Sequence, residues 1–568
     1  MIDRQKLPTA NISKTVWEIV SVFSGGIISF LALGFLQNFY PSFWQFVLLT
    51  IALNVISACF FELIKERAIA PWEGQWREKI IDILILSLGL AFVIQTLQLV
   101  LQYPKLFLLK LFFLEPSLIP AFLALTAASR AGMFFLFQKQ DRSNWRASRF
   151  ANWMYQNLPG LILASAITVA TFVLATTFSH PKFIYSDNYF DTDSGDWMNR
   201  LTADLDKLTV MRPVHPLAFL IFRPPVWLLS LILNGNKFYA ALLFNSLLGG
   251  ICVFLTWTFF KQRTKNSTYA LLIAGLLGLS SSHLILSVFL ESYMFSAVTL
   301  MIFLLLLQRE EKPLARLILA GLLSFGVTMT NFIQTCILFF MTIPKVKIIF
   351  KYIASVLILA LFLAFVQDIV YPPSDPFYVP SSYAQEKNYQ FNLFEAQPWS
   401  VSGRANALAR SMLMFSVAAP QPLILLKETG CAFPCTMVYY YDKHGVYHIS
   451  SYAGFGKALV FVWLIMLFAA GALFLKKFRA SYPSFMLSTA LLLNLLFSFV
   501  LLMNYGDDFM LYSPSWTYAL ALFFGISYEE YSNKKWIQFA LLIFLAGLTI
   551  NNLNQFHEIL NAVQPFYR

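Results

Sequence analysis

Six of the 29 acidic residues fall within the 36 positions from His180 to His215: Asp187, Asp191, Asp193, Asp196, Asp204 and Asp206. They alternate with Tyr185, Tyr189, Phe190 and Trp197, and the segment closes on Arg212 and His215 beside an apolar run. Carboxylates set among aromatics can take a proton from an attacking hydroxyl, although most acidic loops are simply solvated. Asp191 and Asp193, two apart in what reads as an extended stretch, would point to one side. That spacing suits a divalent cation, Mg or Mn, or a base with a supporting carboxylate. Arg212 is placed either to hold a phosphate or to neutralise Asp204 or Asp206; Arg223, Arg404 and Arg410 are further cations for an anion. Glu291 and Tyr293 mark one tight turn between apolar runs, and Asp507, Asp508 and Tyr512 mark another. A helix cap in the first and a polar turn in the second are the plain alternatives.

These residues must be held by membrane helices. Of 568 residues, 58% are hydrophobic and 12% charged, against about 25% charged in ordinary soluble domains. A soluble enzyme, a disordered chain and a disulfide-knit module are excluded. Apolar runs are expected to span at 16–36, 43–63, 80–101, 115–137, 158–179, 238–260, 268–288, 292–308, 317–330, 331–344, 352–370, 455–475, 482–503, 515–527 and 537–551. The fold class is therefore an all-α polytopic integral membrane protein with about 13–15 transmembrane helices and outer loops carrying juxtamembrane helices. With the N-terminus in the cytoplasm, 25 of the 41 Lys and Arg fall in inside segments, as the positive-inside rule requires. The net charge of +12 is thus a topological device and not a nucleic-acid footprint. No cleavable signal peptide is expected.

Two outside segments, 180–237 and 371–454, are too long and too aromatic for plain connectors, and are expected to fold against the membrane. The run 216–233 is apolar enough to cross, but crossing would invert every later basic loop. It is expected to dip into the outer interface, broken at Arg223-Pro224-Pro225. Cys59, Cys252 and Cys336 fall in spans; Cys431 and Cys435 lie outside, as a disulfide or as free thiols. The chain divides into an N-terminal four-helix module (1–150), a catalytic membrane core (151–370), a long outer loop (371–454) and C-terminal helices (455–568).

The order of these features resembles a known family. A helix ends outside, an acidic loop carries Asp191-Thr192-Asp193, and His215-Pro216-Leu217 begins a juxtamembrane stretch. A hairpin with Glu291-Ser292-Tyr293 at its tip follows, then a close helix pair turning at Met329-Thr330-Asn331. Over roughly 158–351 this resembles the GT-C superfamily of polytopic glycosyltransferases, in particular bacterial protein mannosyltransferase and lipid A aminoarabinose transferase groups. His-Pro-Leu follows the family's aromatic-or-His, Pro, Pro theme with Leu for the second Pro. The tryptophan-rich acceptor motif of oligosaccharyltransferases is absent.

The resemblance implies an enzyme of the bacterial inner membrane that takes a sugar from a polyprenyl-phosphate donor. It passes the sugar to a glycan, lipid or protein acceptor on the outer face. It maps the catalytic aspartate onto Asp191 or Asp193, with Asp193 favoured. The expected site has Asp193, Asp191 and Asp196 as catalytic residues and Arg212, His215, Arg404 and Arg410 on the donor phosphate. Glu291, Tyr293, Asp507 and Tyr512 would contact substrate. A lipid-linked glycan polymerase or ligase shares carrier and membrane side but usually relies on outside arginines and histidines. A transporter or flippase would need ionisable residues deep in the spans, which are scarce here.

Overall fold

The computed structural model describes residues 9–69, 76–139, 148–180, 189–309, 311–426, 434–441, 447–480, 482–506 and 508–566. The chain is an all-α polytopic membrane protein. Its helices are α1 (Thr9–Leu36), α2 (Phe43–Ile69), α3 (Trp76–Leu101), α4 (Ile119–Lys139), α5 (Arg149–Phe178), α6 (Ser194–Thr202), α7 (Ala218–Ile232) and α8 (Lys237–Thr264). They continue with α9 (Ser267–Gly278), α10 (Ser281–Val288), α11 (Tyr293–Leu307), α12 (Leu314–Val327), α13 (Met329–Thr342) and α14 (Val346–Val370). Then come α15 (Pro398–Arg410), α16 (Gly454–Ala480), α17 (Tyr482–Asn504), α18 (Pro514–Ser527) and α19 (Lys535–Val563). Among the described residues, ten are long and apolar enough to cross a membrane, eleven if α9 and α10, bent by 61°, form one broken span. Helices α11, α12 and α13 are shorter apolar rods, as is α7, so several expected crossings are helices of only 14 or 15 residues.

Contact clustering divides the chain into two units: 1–80 with 107–158, and 81–106 with 159–568. The first gathers α1, α2 and α4 around Leu33, Phe46, Leu114 and Phe122. Inside it, Ser29 and Ser57 lie 3.1 Å apart, Asn54 donates to Thr126 at 3.0 Å, and the buried Arg130 donates to the Ser57 hydroxyl. Most of α3 belongs to the second unit, unlike the four-helix module read from the sequence. Polar bonds explain this: Thr268 donates to Asp82 near the start of α3, and Tyr103 just past its end donates to Asn561 at 2.7 Å.

The second unit has two chemically distinct ends. At one, Arg263 and Lys477 both bond the carboxylate of Glu529, and Asn266 donates to Ser532. Helix α8 leads away from there for 28 residues, about 42 Å at 1.5 Å per residue, to Lys237, which pairs with Asp204 at 3.4 Å. The segments after α5 and after α14 meet at that second end, where Met211 pairs with Ser374. Helix α7 is short but continuous through Pro224 and Pro225, so the expected break at 223–225 is absent. Arg223 instead reaches back to the carbonyls of Arg200 and Ala203 at 2.7 and 2.8 Å, satisfying the end of α6.

The long loop after α14 is ordered by backbone pairing. Met211 bridges Ser374, Gln390 bridges Tyr505, and two antiparallel ribbons pair β1 (Ile424–Leu426) with β2 (Cys435–Met437) and β3 (Tyr439–Tyr441) with β4 (Tyr447–Ile449). Cys435 is disulfide-bonded. Cys431 lies outside the described residues.

Candidate active site

Asp193 ends a turn and begins a helix. Phe190 and Asp191 both take φ of 55°, and the Phe190 N–H donates to the Thr436 carbonyl at 2.9 Å. The stretch is therefore a left-handed turn and not extended, so strand alternation does not align Asp191 with Asp193. Asp193 is the N-cap of α6, and its own N–H donates to Oε1 of Glu291 at 2.7 Å. Glu291 sits in the break between α10 and α11, 5% exposed, and its second oxygen accepts the Ser292 N–H at 3.1 Å. Asn245 of α8 holds that break by donating to the carbonyls of Leu286 and Phe289 at 2.9 and 3.0 Å.

Two carboxyls from distant segments thus meet in a water-poor place. Burial pushes the Asp193 carboxyl above its usual range, against the pull of Arg200 and Arg212, with nearby Asp196 adding to the rise. Burial and then the Asp193 charge push Glu291 well above its range. Both carboxyls are thus raised by burial, while the N–H bonds from Asp193 and Ser292 pull Glu291 the other way.

Arginines frame the pair. Arg200, 4% exposed, lies 3.6 Å from Asp196, donates to the Val210 carbonyl at 3.2 Å and packs on Trp197. Arg212 pairs with neither Asp204 nor Asp206. Its Nε and Nη2 fork onto Glu386 at 2.9 and 2.6 Å, Nη2 also reaches the Tyr505 hydroxyl at 2.9 Å, and the guanidinium lies 4.3 Å from the Tyr389 ring centre. Tyr505 donates to the same Glu386 carboxylate at 2.6 Å. Burial alone would raise Glu386, but the bonds from Arg212 and Tyr505 outweigh it and hold the carboxyl below its ordinary value. Arg212 Nη1 makes no hydrogen bond among the described residues and is the donor edge left for a ligand.

Of the remaining expected residues, Tyr293 and Tyr512 meet edge to face, ring centres 5.2 Å apart, with Tyr505 6.3 Å beyond. Gly506 makes this approach possible: its φ is +81°, and a Cβ there would come within 2.5 Å of the Tyr512 ring. His215 stands beside the group but is committed. Its Nδ1–H donates to the Val327 carbonyl at 2.6 Å, its ring packs against Trp197, and burial lowers its pKa to about 3. A neutral imidazole pinned in this way is a joint between loop and helix and not a phosphate ligand.

Arg404 is also not a donor ligand. It is 1% exposed and donates to the carbonyls of Leu502, Met503, Tyr505 and Gly506 at 2.6–3.1 Å, capping α17 between Phe391 and Phe509. Arg410 closes α15 near Tyr452, with no hydrogen bond or ion pair to the group around Asp193. Asp196 is more than half exposed and serves Arg200. Asp508 accepts the Met510 N–H at 2.7 Å in a local turn, and Asp507 lies outside the described residues.

No group of three or more His, Cys, Asp or Glu could hold a metal among the described residues. The Asp193–Glu291 pair has the guanidinium groups of Arg200 and Arg212 near it, an environment that disfavours a divalent cation. Arg200, Glu386, Tyr389 and Tyr505 are additions to the expected set. Arg200 is legible as the i+4 partner of Asp196 on α6. Glu386 carries no local signal, because its partner lies 174 residues away.

Glu291→Gln should keep an acceptor for the Asp193 N–H and retain activity within about tenfold. Glu291→Ala leaves that buried donor unpaired, at about 1–3 kcal/mol, and should lose far more. Equal kcat/KM in the two variants would show that the acceptor at position 291 does not position Asp193. No family model, curated protein or solved structure matches the chain.

Proposed function

We propose that the chain is a membrane glycosyltransferase that moves a sugar from a polyprenyl-phosphate donor to an acceptor on the outer face. The observation that carries this reading is the Asp193–Glu291 pair at the end where the outer segments meet, flanked by Arg200 and Arg212. The acceptor oxygen attacks the anomeric carbon and passes its proton to the Asp193 carboxylate. The bond from that carbon to the phosphate oxygen breaks, and the phosphate leaves with the electron pair. A raised pKa makes Asp193 a better proton acceptor than an exposed aspartate. The leaving phosphate needs no general acid; it needs positive charge in a shielded place, and Arg212 Nη1 supplies a guanidinium edge for it. The apolar helix α7, with Trp227, Leu228, Leu231 and Ile232 exposed, offers a surface for the isoprenoid tail.

This reading places the Asp193 end outside and the Arg263–Lys477 end in the cytoplasm of a bacterial inner membrane. Cysteines introduced at the exposed Phe394 and Gln262 test it with an impermeant thiol reagent in intact cells. Position 394 should label and position 262 should not. The reverse pattern would overturn the topology and the outer active site together. Transfer activity itself is tested by the Asp193 variant described below.

A further inference from the structure

Gln95 and Gln98 of α3 and Gln102 in the turn just past its end line one side, and all three side chains are exposed. The apolar span to which α3 belongs ends at Leu101, so Gln95 lies about 9 Å inside it at 1.5 Å per residue. Carboxamides left against hydrocarbon lose their hydrogen-bond partners, and polar groups in spans face protein or a wet cavity. Here they face a cavity. Across an open cleft of about 490 Å³, helix α19 presents Asn551, Asn554 and His557, with Phe455 at the edge.

Three properties define what fits. First, among the described residues no Asp, Glu, Lys or Arg lines the cleft, so amides and the His557 ring set its chemistry rather than a fixed charge. Second, the exposed carboxamides of Gln95, Gln98 and Gln102 each carry donors and an acceptor, the match for neighbouring hydroxyls, and the half-exposed Phe455 ring suits the C–H face of a pyranose. Third, the floor of the cleft is held: Asn551 is 2% exposed and donates its amide to the Ala419 carbonyl at 2.9 Å and to Oδ1 of Asn552 at 3.1 Å, so it shapes the cleft and leaves Gln95, Gln98 and Gln102 to meet a ligand. The walls are fixed. Tyr103, after α3, lies 2.9 Å from His557 Nδ1 and donates to Asn561 at 2.7 Å, so little ordering remains for binding. A hydrocarbon tail in the cleft would bury these amides unsatisfied.

The cleft lies at the same end of the second unit as Asp193. Asp82, at the other end of α3, is bonded by Thr268 of α9, next to the Arg263 end. On another face of α19, Phe556 packs on Phe178 at 5.8 Å, and Phe178 meets Tyr189 and Phe289, the neighbours of the acidic pair.

We propose that this cleft binds a neutral saccharide, the glycan portion of the acceptor. The acceptor assignment rests on the glycosyltransferase reading, whereas the saccharide site stands without it. The test uses the full chain in a detergent without a sugar headgroup, titrated calorimetrically with maltotetraose, cellotetraose, mannotetraose and chitotetraose, and with glucuronate and inorganic phosphate as anionic controls. At least one neutral tetrasaccharide should bind. Its Kd should rise tenfold or more in Gln98→Leu/Asn554→Leu and stay unchanged in Asp193→Asn. If the double variant melts early, Gln98→Leu, at an exposed position, carries the comparison. No binding by any neutral probe, binding of the anions alone, or equal affinity in wild type and cleft variants would overturn the site. Saccharide binding by a chain that lacks transfer activity would keep the site and remove the acceptor assignment.

Discussion

Asp193→Asn should lower sugar transfer by about 10²–10⁴-fold, the usual worth of a general base, without harming the fold. The variant keeps the N–H that bonds Glu291, and it removes a charge that burial penalises. The pH dependence of stability separates it from an ordinary destabilised mutant. A carboxyl whose folded pKa lies above its unfolded value binds more protons folded than unfolded between the two. The wild type therefore loses stability as pH rises from the unfolded value, 3.8 for Asp193, through the raised folded value. The Asn variant lacks that loss, so above this window its Tm should equal or exceed the wild type's. The wild-type activity profile should rise through the same raised pKa. Wild-type turnover by the Asn variant would remove Asp193 from the base role.

Arg212→Ala should abolish most activity and also lower Tm, because two functions meet in one side chain. Its fork is the partner of Glu386, whose side chain is only 6% exposed, and breaking a buried pair costs about 3–5 kcal/mol. Loss of activity in this variant alone therefore decides nothing. Arg212→Lys should retain part of the activity as a point charge, and donor affinity should weaken more than acceptor affinity. Glu386→Gln is the decisive companion: it weakens the internal competitor for the guanidinium. A phosphate role predicts donor affinity unchanged or tighter in that variant; a purely structural role predicts donor and acceptor affinity falling together. An Arg212→Ala protein that melts normally and binds a polyprenyl phosphate as well as wild type would end the donor role.

Helices were legible in the sequence because membrane spans announce themselves by length and hydropathy. The expected 43–63 and 482–503 fall inside α2 and α17. What sequence spacing could not supply was pairing across distance. Asp193, Glu291, Tyr293, Arg212 and Tyr512 each stood out locally, and the fold brings them together. Glu386 and Tyr505 carry no local signal, and the pairing of 389–391 with 504–506, together with the bridge from Met211 to Ser374, brings them to Arg212. Arg404 misled for the converse reason. An outer arginine next to an acidic site reads as an anion ligand, but four backbone carbonyls at the end of α17 already occupy it. Asp191 was misplaced because positive φ at a non-glycine residue has no sequence signature.

Arg130 ties α4 of the smaller unit to α1 and α2. It stands near the middle of α4, and an arginine at mid-helix costs about 2.5–3.5 kcal/mol to insert on translocon scales. Its guanidinium is received by the Ser57 hydroxyl of α2 and packs so closely over Gly25 of α1 that a Cβ there would collide with it. A hairpin of α1 and α2 already in the bilayer would offer the nascent α4 a surface on which that cost is offset. Ser57→Ala should lower the inserted fraction of α4 in glycosylation mapping of the nascent chain, and Arg130→Leu should restore it. Full insertion of α4 from a chain lacking the hairpin would show that its entry is autonomous.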